Sequence, residues 1–290
     1  MVGLAASVVS TAMTTKAYDG RLSDRADIGV IGGSGLYSLL DGEQVEVDTP
    51  WGAPSDPLTI AELSGRRVAF LPRHGRDHRF PPHRVNYRAN LWALRSVGVR
   101  QVLAPCAVGS LKADQGPGTV VVPDQVVDRT WGRAHTFFDE PGAVVHVAFA
   151  DPYCPNGRQV ALAAGRARDL PVVDGGTLVV VNGPRFSTRA ESLWHQAQGW
   201  SVVGMTGSPE ASLARELALC LTSVALVTDL DAGLEHGDGV THDEVLRVFA
   251  ENIEAVRDLL VDAVGQLPPA DADCSCRHAL DGQKLPFDLP

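Results

Sequence analysis

The sequence predicts an α/β fold with a buried sheet, and three observations carry that prediction. Short β-branched runs alternate with amphipathic stretches along the chain, as they do where strands lie between covering helices. The 290 residues, 44% hydrophobic and 21% charged, are enough for one sizeable core. Neither an internal repeat nor a shift in composition marks a second domain within residues 27–267.

The elements follow in order. Apolar runs predict strands over 28–31, 67–71, 101–104, 119–122, 178–181, 201–204 and 223–228. Amphipathic stretches predict helices over 85–97, 158–168, 189–198, 209–219 and 242–264. Ser208 and Pro209 suit the cap and first turn of the fourth helix. The last helix opens with T-H-D-E, a capping box in which Thr241 caps and Glu244 reaches back.

The flanks read differently. Residues 1–26 are weakly apolar, carry their first basic residue at Lys16 and lack the charged start of a secretory signal, so they read as a flexible extension of a cytoplasmic protein. After Leu267 the run PPADADCSC is polar and proline-led, so 268–290 reads as a tail. A net charge of -10 argues against general affinity for nucleic acid or anionic membrane, and no apolar run reaches the length of a membrane span. Five cysteines at irregular spacing fit neither a disulfide framework nor a zinc pattern. Cys154 and Cys220 read as core thiols, whereas Cys274 and Cys276 form a C-x-C that either closes a strained disulfide or lies reduced and exposed.

Four segments carry chemistry. In IGVIGGSGL, glycines after a strand allow backbone N–H groups to approach an anion and Ser34 adds a hydroxyl; a tight strand-to-helix turn is the plainer reading. It is neither a dinucleotide fingerprint nor a P-loop. In LPRHGRDHRFPPHRVNY, Arg73 and His74 directly follow a strand, where α/β folds place ligand groups, and an arginine there can grip phosphate through paired N–H bonds. Arg76, Arg79 and Arg84 better suit surface ion pairs, and the irregular histidines do not suit a metal. In GWSVVGMTGSPEASLARE, a strand delivers Met205 and Thr206 to a helix N-terminus that favours an anion. In SVALVTDLDAGLEHG, Asp229 and Asp231 lie two apart at a strand end, so an extended backbone points both the same way. Held close, they raise one pKa and supply a proton donor; capping or loop hydrogen bonding is the alternative.

Taken together with VDTPWGAPSD, VNYRANLWAL, VGSL, GPGTVVVPDQVVDRT, HVAFADPYCP and NGPRFSTRAES, these segments resemble the trimeric nucleoside phosphorylases, in their methylthioadenosine phosphorylase branch, over residues 28–267. The resemblance implies a single domain with a mixed, largely buried central sheet flanked by helices. It also implies phosphorolysis of a 6-aminopurine nucleoside, with inorganic phosphate as co-substrate and no metal or organic cofactor. Ser34, Arg73, His74, Cys106, Ala107 and Thr206 then match phosphate-binding positions, and Met205 the residue beneath the ribose. Phe186 and Ser187 match the base pocket, and Asp229 and Asp231 the carboxylates facing the purine. His146 matches a residue that reaches a neighbouring subunit's ligand, which implies a homotrimer with active sites at subunit interfaces.

Two positions depart from the family pattern. Cys106 stands where a hydroxyl residue is common, and its thiol is a weaker donor. His242 stands where an aliphatic residue is expected in the 5′ pocket, with Val245 on the same helix face. A histidine there raises adenosine, or a 5′-halo-deoxyadenosine, beside 5′-methylthioadenosine as substrate. Two further readings, a nucleoside-binding protein without catalysis and a nucleosidase using water, both predict the loss of the Arg73 grip.

Overall fold

The computed structural model describes residues 15–33, 36, 39–142, 144–232 and 241–290. Among these residues twelve strands form one mixed sheet. The chain runs β1 (Thr15–Ala17), β2 (Ile28–Gly32), β3 (Glu43–Glu46), β4 (Leu58–Leu63), β5 (Arg66–Pro72), α1 (Tyr87–Ser96), β6 (Gln101–Ser110), β7 (Val120–Val122) and β8 (Gln125–Arg129). It continues through α2 (Pro155–Arg166), β9 (Val172–Asp174), β10 (Thr177–Val181), α3 (Arg189–Ala197), β11 (Val202–Gly204), α4 (Gly207–Glu216), β12 (Cys220–Leu230) and α5 (His242–Gln266). All seven strands and five helices expected from the sequence are present.

β6 is the pivot. On one edge it pairs in parallel with β12 from end to end. On the other it pairs with β2 only through Gln101, Val102 and Leu103, then meets β11 antiparallel at Gly109 and Ser110. Among the described residues its edge is unpaired between those two neighbours. Pro105 sits in that opening, and its carbonyl accepts from Arg73 Nη1 at 3.0 Å. A residue's N–H and C=O leave a strand on the same side, so the N–H that proline lacks would have faced the gap, where no strand requires it. The proline that ends the sequence-predicted strand at 104 therefore lies inside a ten-residue strand.

A gap of this kind, where neighbouring strands part along a central one, is the usual site of ligand binding in open α/β sheets. The helices close both faces around it. α1 and α4 bury Leu91, Leu94, Leu213 and Ala214 in one core layer, and α2 and α5 bury Leu162, Val256, Leu259 and Leu260 in the other. Each of the leucine and valine side chains removed from water contributes about 2 kcal/mol.

The flanks differ from expectation. Residues 15–17 add a strand beside β3, and Lys16 binds the buried Asp24 at 2.6 Å, so this part of the N-terminal extension is tied down. The segment after Leu267 folds back onto the domain: Cys274 and Cys276 are buried, and Phe287 joins Trp51, Trp92 and Phe138 in an aromatic cluster. An apolar Phe287 and two thiols give that segment enough to bury despite its polar composition.

Candidate functional site

The open edge of β6 forms the floor of a cavity of about 260 Å³. Eleven of the fourteen residues singled out from sequence line it: Arg73, His74, Cys106, Ala107, Phe186, Ser187, Met205, Thr206, Asp229, Asp231 and Val245. Ser34 and the side chain of His242 lie outside the described residues. His146 is exposed and does not reach the cavity of its own chain. Glu244's side chain is likewise outside the described residues, so the capping box at α5 is not visible.

Two chemically distinct corners face each other. The first gathers Gly33, Arg73, His74, Cys106 and Thr206. A Cβ on Gly33 would come within 2.9 Å of the Pro105 carbonyl and 3.1 Å of Arg73 Nη1, so only glycine lets β2 end against this corner. Arg73 is 1% exposed. Its Nε and Nη2 both donate to Glu210, the latter at 3.0 Å, and Nη1 donates to Pro105. Burial opposes the guanidinium's charge and Glu210 outweighs it, so Arg73 holds its proton more firmly than usual. The paired donors expected to grip an anion are thus spent on Glu210, and the remaining N–H groups of Nη1 and Nη2 are the ones left for a ligand.

His74 Nδ1 lies 2.7 Å from the Phe80 carbonyl. A carbonyl only accepts, so Nδ1 carries the proton and Nε2 presents a lone pair. Burial, helped by the charge of Arg73, lowers the His74 pKa to about 4 and keeps the ring neutral. Cys106 is a buried thiol, 3.8 Å from Ser223 Oγ, and burial raises its pKa, which removes it as a nucleophile. Thr206 caps α4 without a side-chain cap bond, so its hydroxyl is not engaged by the helix it precedes.

The second corner holds Asp229, Asp231, Phe186 and Ser187. The register of β12 against β6 slips between Val227 and Asp229, leaving Thr228 unopposed. Such a bulge re-aims a strand end, and here it turns both carboxylates toward the cavity. Thr228 Oγ1 donates to Asp229 Oδ2 at 2.8 Å. Ser192 donates to Asp231 Oδ2, and burial raises the Asp231 pKa against that bond. Gly109 makes room: a Cβ there would sit 2.9 Å from Asp229 Oδ1. Cys106 and Gly109 mark the two corners along one strand, about 10 Å apart at the rise of an extended chain.

The sequence reading missed Glu210, His78, Gly109, Leu246 and Phe249 as lining or supporting residues. His78 stacks on His74 with ring centroids 4.6 Å apart. Glu210 stands 137 residues from Arg73, so no local pattern connects them. Leu246 and Phe249 follow Val245 on the same helix, and their spacing was the available signal. As expected, Arg79 and Arg76 make half-exposed ion pairs with Asp56.

A sheet that parts over a cavity, with a corner built around Arg73 and a carboxylate corner at its two ends, defines a class. The family model of the phosphorylase superfamily matches residues 27–265, and the chain belongs to that superfamily.

Its relatives narrow the class. The chain is 65% identical over 275 residues to a purine nucleoside phosphorylase of Streptomyces coelicolor, covering 92% of this chain and 98% of that protein. It is 55% identical to the S-methyl-5′-thioadenosine phosphorylase of Mycobacterium tuberculosis, covering 91% and 97%. Among solved structures, a methylthioadenosine phosphorylase from an antarctic soil metagenomic library superposes with a TM-score of 0.83 at 39% identity, covering 90% of this chain and 92% of that one. A methylthioadenosine phosphorylase from Schistosoma mansoni in complex with adenine gives 0.79 at 40%, covering 83% and 91%.

Proposed function

We infer that the chain catalyses phosphorolysis of a 6-aminopurine nucleoside, with 5′-methylthioadenosine the favoured substrate. The observation that carries the reading is the opposition of the two corners across one cavity. Phosphate is held at the first by the outer N–H groups of Arg73, the Thr206 hydroxyl, the Cys106–Ala107 backbone and Ser34. Neutral His74 accepts a hydrogen bond at Nε2 from the P–OH of the hydrogen phosphate dianion, which keeps its proton, a role the histidine tautomer fits.

The phosphate oxygen attacks C1′ as the bond to N9 breaks, and the ribose gains oxocarbenium character above Met205. Asp229 donates to, or shares a proton with, N7, so adenine does not leave as an anion. Carboxylates accept hydrogen bonds, and a 6-amino group donates where a 6-oxo group cannot, so Asp229 and Asp231 select the aminopurine. Rate enhancement comes from positioning and from charge placed beside charge, which calls for no metal or organic cofactor. Val245, Leu246 and Phe249 put an apolar wall of α5 against the cavity, which suits a methylthio group. A second reading, a purine nucleoside phosphorylase preferring adenosine or a 5′-halo analogue, is consistent with the Streptomyces relative's name, purine nucleoside phosphorylase.

The assembly is proposed to be a homotrimer with its sites at subunit interfaces. Val144 and Trp131 are more than 70% exposed, and Leu193 and Trp194 are also exposed, as surfaces awaiting a partner are. His146, on the segment carrying Val144, would then reach the neighbour's site. Five free thiols suit a reducing, cytoplasmic setting. The test compares kcat/KM for 5′-methylthioadenosine, adenosine and inosine. The reading expects that order, with inosine last by about 100-fold or more. Adenosine equal to methylthioadenosine establishes the second reading, and inosine in front overturns both.

A further inference from the structure

Far from the cavity, the fold gathers four cysteines that the sequence scatters. Cys154 caps the N-terminus of α2, Cys220 opens β12, and Cys274 and Cys276 arrive on the returning C-terminal segment. Their four Sγ atoms all lie within 4.8 Å of one another, and the side chains are 2, 7, 9 and 1% exposed. All are free thiols, with Cys154 and Cys274 Sγ atoms 3.5 Å apart. Among the described residues this is the one group of metal-ligating side chains close enough to share an ion.

We propose that Cys154, Cys220, Cys274 and Cys276 form a tetrahedral zinc site that fastens the C-terminal segment to the sheet. Zinc bound to four thiolates at about 2.3 Å sets neighbouring sulfurs about 3.8 Å apart, inside the spread already present. A quartet of thiolates without nitrogen or oxygen ligands selects zinc over magnesium, calcium or manganese. Binding releases the thiol protons and leaves a centre of net charge -2, which needs compensation in a buried place.

That compensation is built in. Gly157 N donates to Cys154 Sγ at 3.5 Å, and the α2 N-terminus adds its dipole. A Cβ on Gly157 would collide with Thr222 Oγ1, so glycine lets α2 start directly against β12 and brings Cys154 to Cys220. Arg100 and Arg277 line the small gap beside the thiols, and the charge of Arg215 acts on Cys276. None of these three arginines has a carboxylate ion-pair partner among the described residues. Arg215 Nε is buried without a hydrogen-bond partner.

The experiment uses the full-length chain, reduced, equilibrated with zinc sulfate and desalted without chelator. Elemental analysis then gives about one zinc per chain, and titration with an organomercurial releases it in step with thiol modification. Cys276→Ser retains less than about a tenth of that zinc. Stripping the metal from wild type lowers Tm while kcat/KM at lower temperature stays unchanged, because none of the four thiols lines the cavity. Wild-type chain that emerges metal-free with all five cysteines alkylatable overturns the proposal. So does metal-free chain whose mass is short by the hydrogens of one or two disulfides.

Discussion

β12 meets a different chemistry at each end. At its start Cys220 joins a cluster of thiols; at its finish Asp229 and Asp231 face a cavity. The stretch between, from Leu221 to Thr228, is buried throughout. The finish is assembled from neighbours in sequence: pairs such as Arg73 and His74, Met205 and Thr206, or Asp229 and Asp231 each follow a strand end. The start is assembled from three separate segments, with one or two cysteines apiece. The first kind of site leaves local signatures throughout, whereas the second leaves only the C-x-C of Cys274 and Cys276, with nothing to connect it to Cys154 or Cys220. The two ends are also expected to differ in what they do: changes at the cavity should alter chemistry as well as stability, and changes at the thiols stability alone.

The largest effect at the cavity end is expected from Arg73→Ala. It leaves Glu210 buried without a partner, so urea denaturation should show a loss of about 3–5 kcal/mol, alongside a raised KM for phosphate. A loss under 1 kcal/mol would mean that the pair is not buried as described. Next is the pH dependence of folding. Below about pH 6.5 the unfolded chain binds a proton at residue 74, and the folded chain refuses it until about pH 4. Arg73, His78 and Arg133 all act to keep that ring neutral. Stability therefore falls as pH drops through this window, by about 3 kcal/mol in all, and His74→Asn should flatten the slope.

Asp229→Asn is expected to lower kcat/KM for the aminopurine nucleoside about 100-fold and to shift preference toward inosine. An unchanged ratio would remove Asp229 from the base corner. The smallest effect is at Gly109→Ala, whose Cβ presses on Asp229 Oδ1; about a 10-fold loss in kcat/KM with native Tm is expected. A loss of Tm without a change in rate would move Gly109 from the site to the frame.

Much of the fold was legible because buried parallel strands are continuous apolar runs. Of the strands that went unread, β1, β3 and β9 are short and β8 lies at the sheet's edge, while β4 is six residues long between β3 and β5 but is interrupted by Thr59 and Glu62; in E-Q-V-E only the two central residues are buried. β6 was cut short at Pro105, since a sequence does not show that the strand's edge is unpaired there. In the site, residues adjacent to strand ends were found and long-range partners were not. Glu210 holding Arg73 and Ser192 holding Asp231 are contacts made only by folding. The C-terminal segment misled through its composition, because two buried thiols and one aromatic ring outweigh a polar run.

The central claim is that the two corners bring a nucleoside and phosphate together. The direct test is adenine release from 5′-methylthioadenosine with and without inorganic phosphate, with the sugar product identified. Release is expected to saturate with phosphate, to stop in its absence and to yield 5-methylthioribose 1-phosphate. Release at the same rate without phosphate, yielding free methylthioribose, would contradict it.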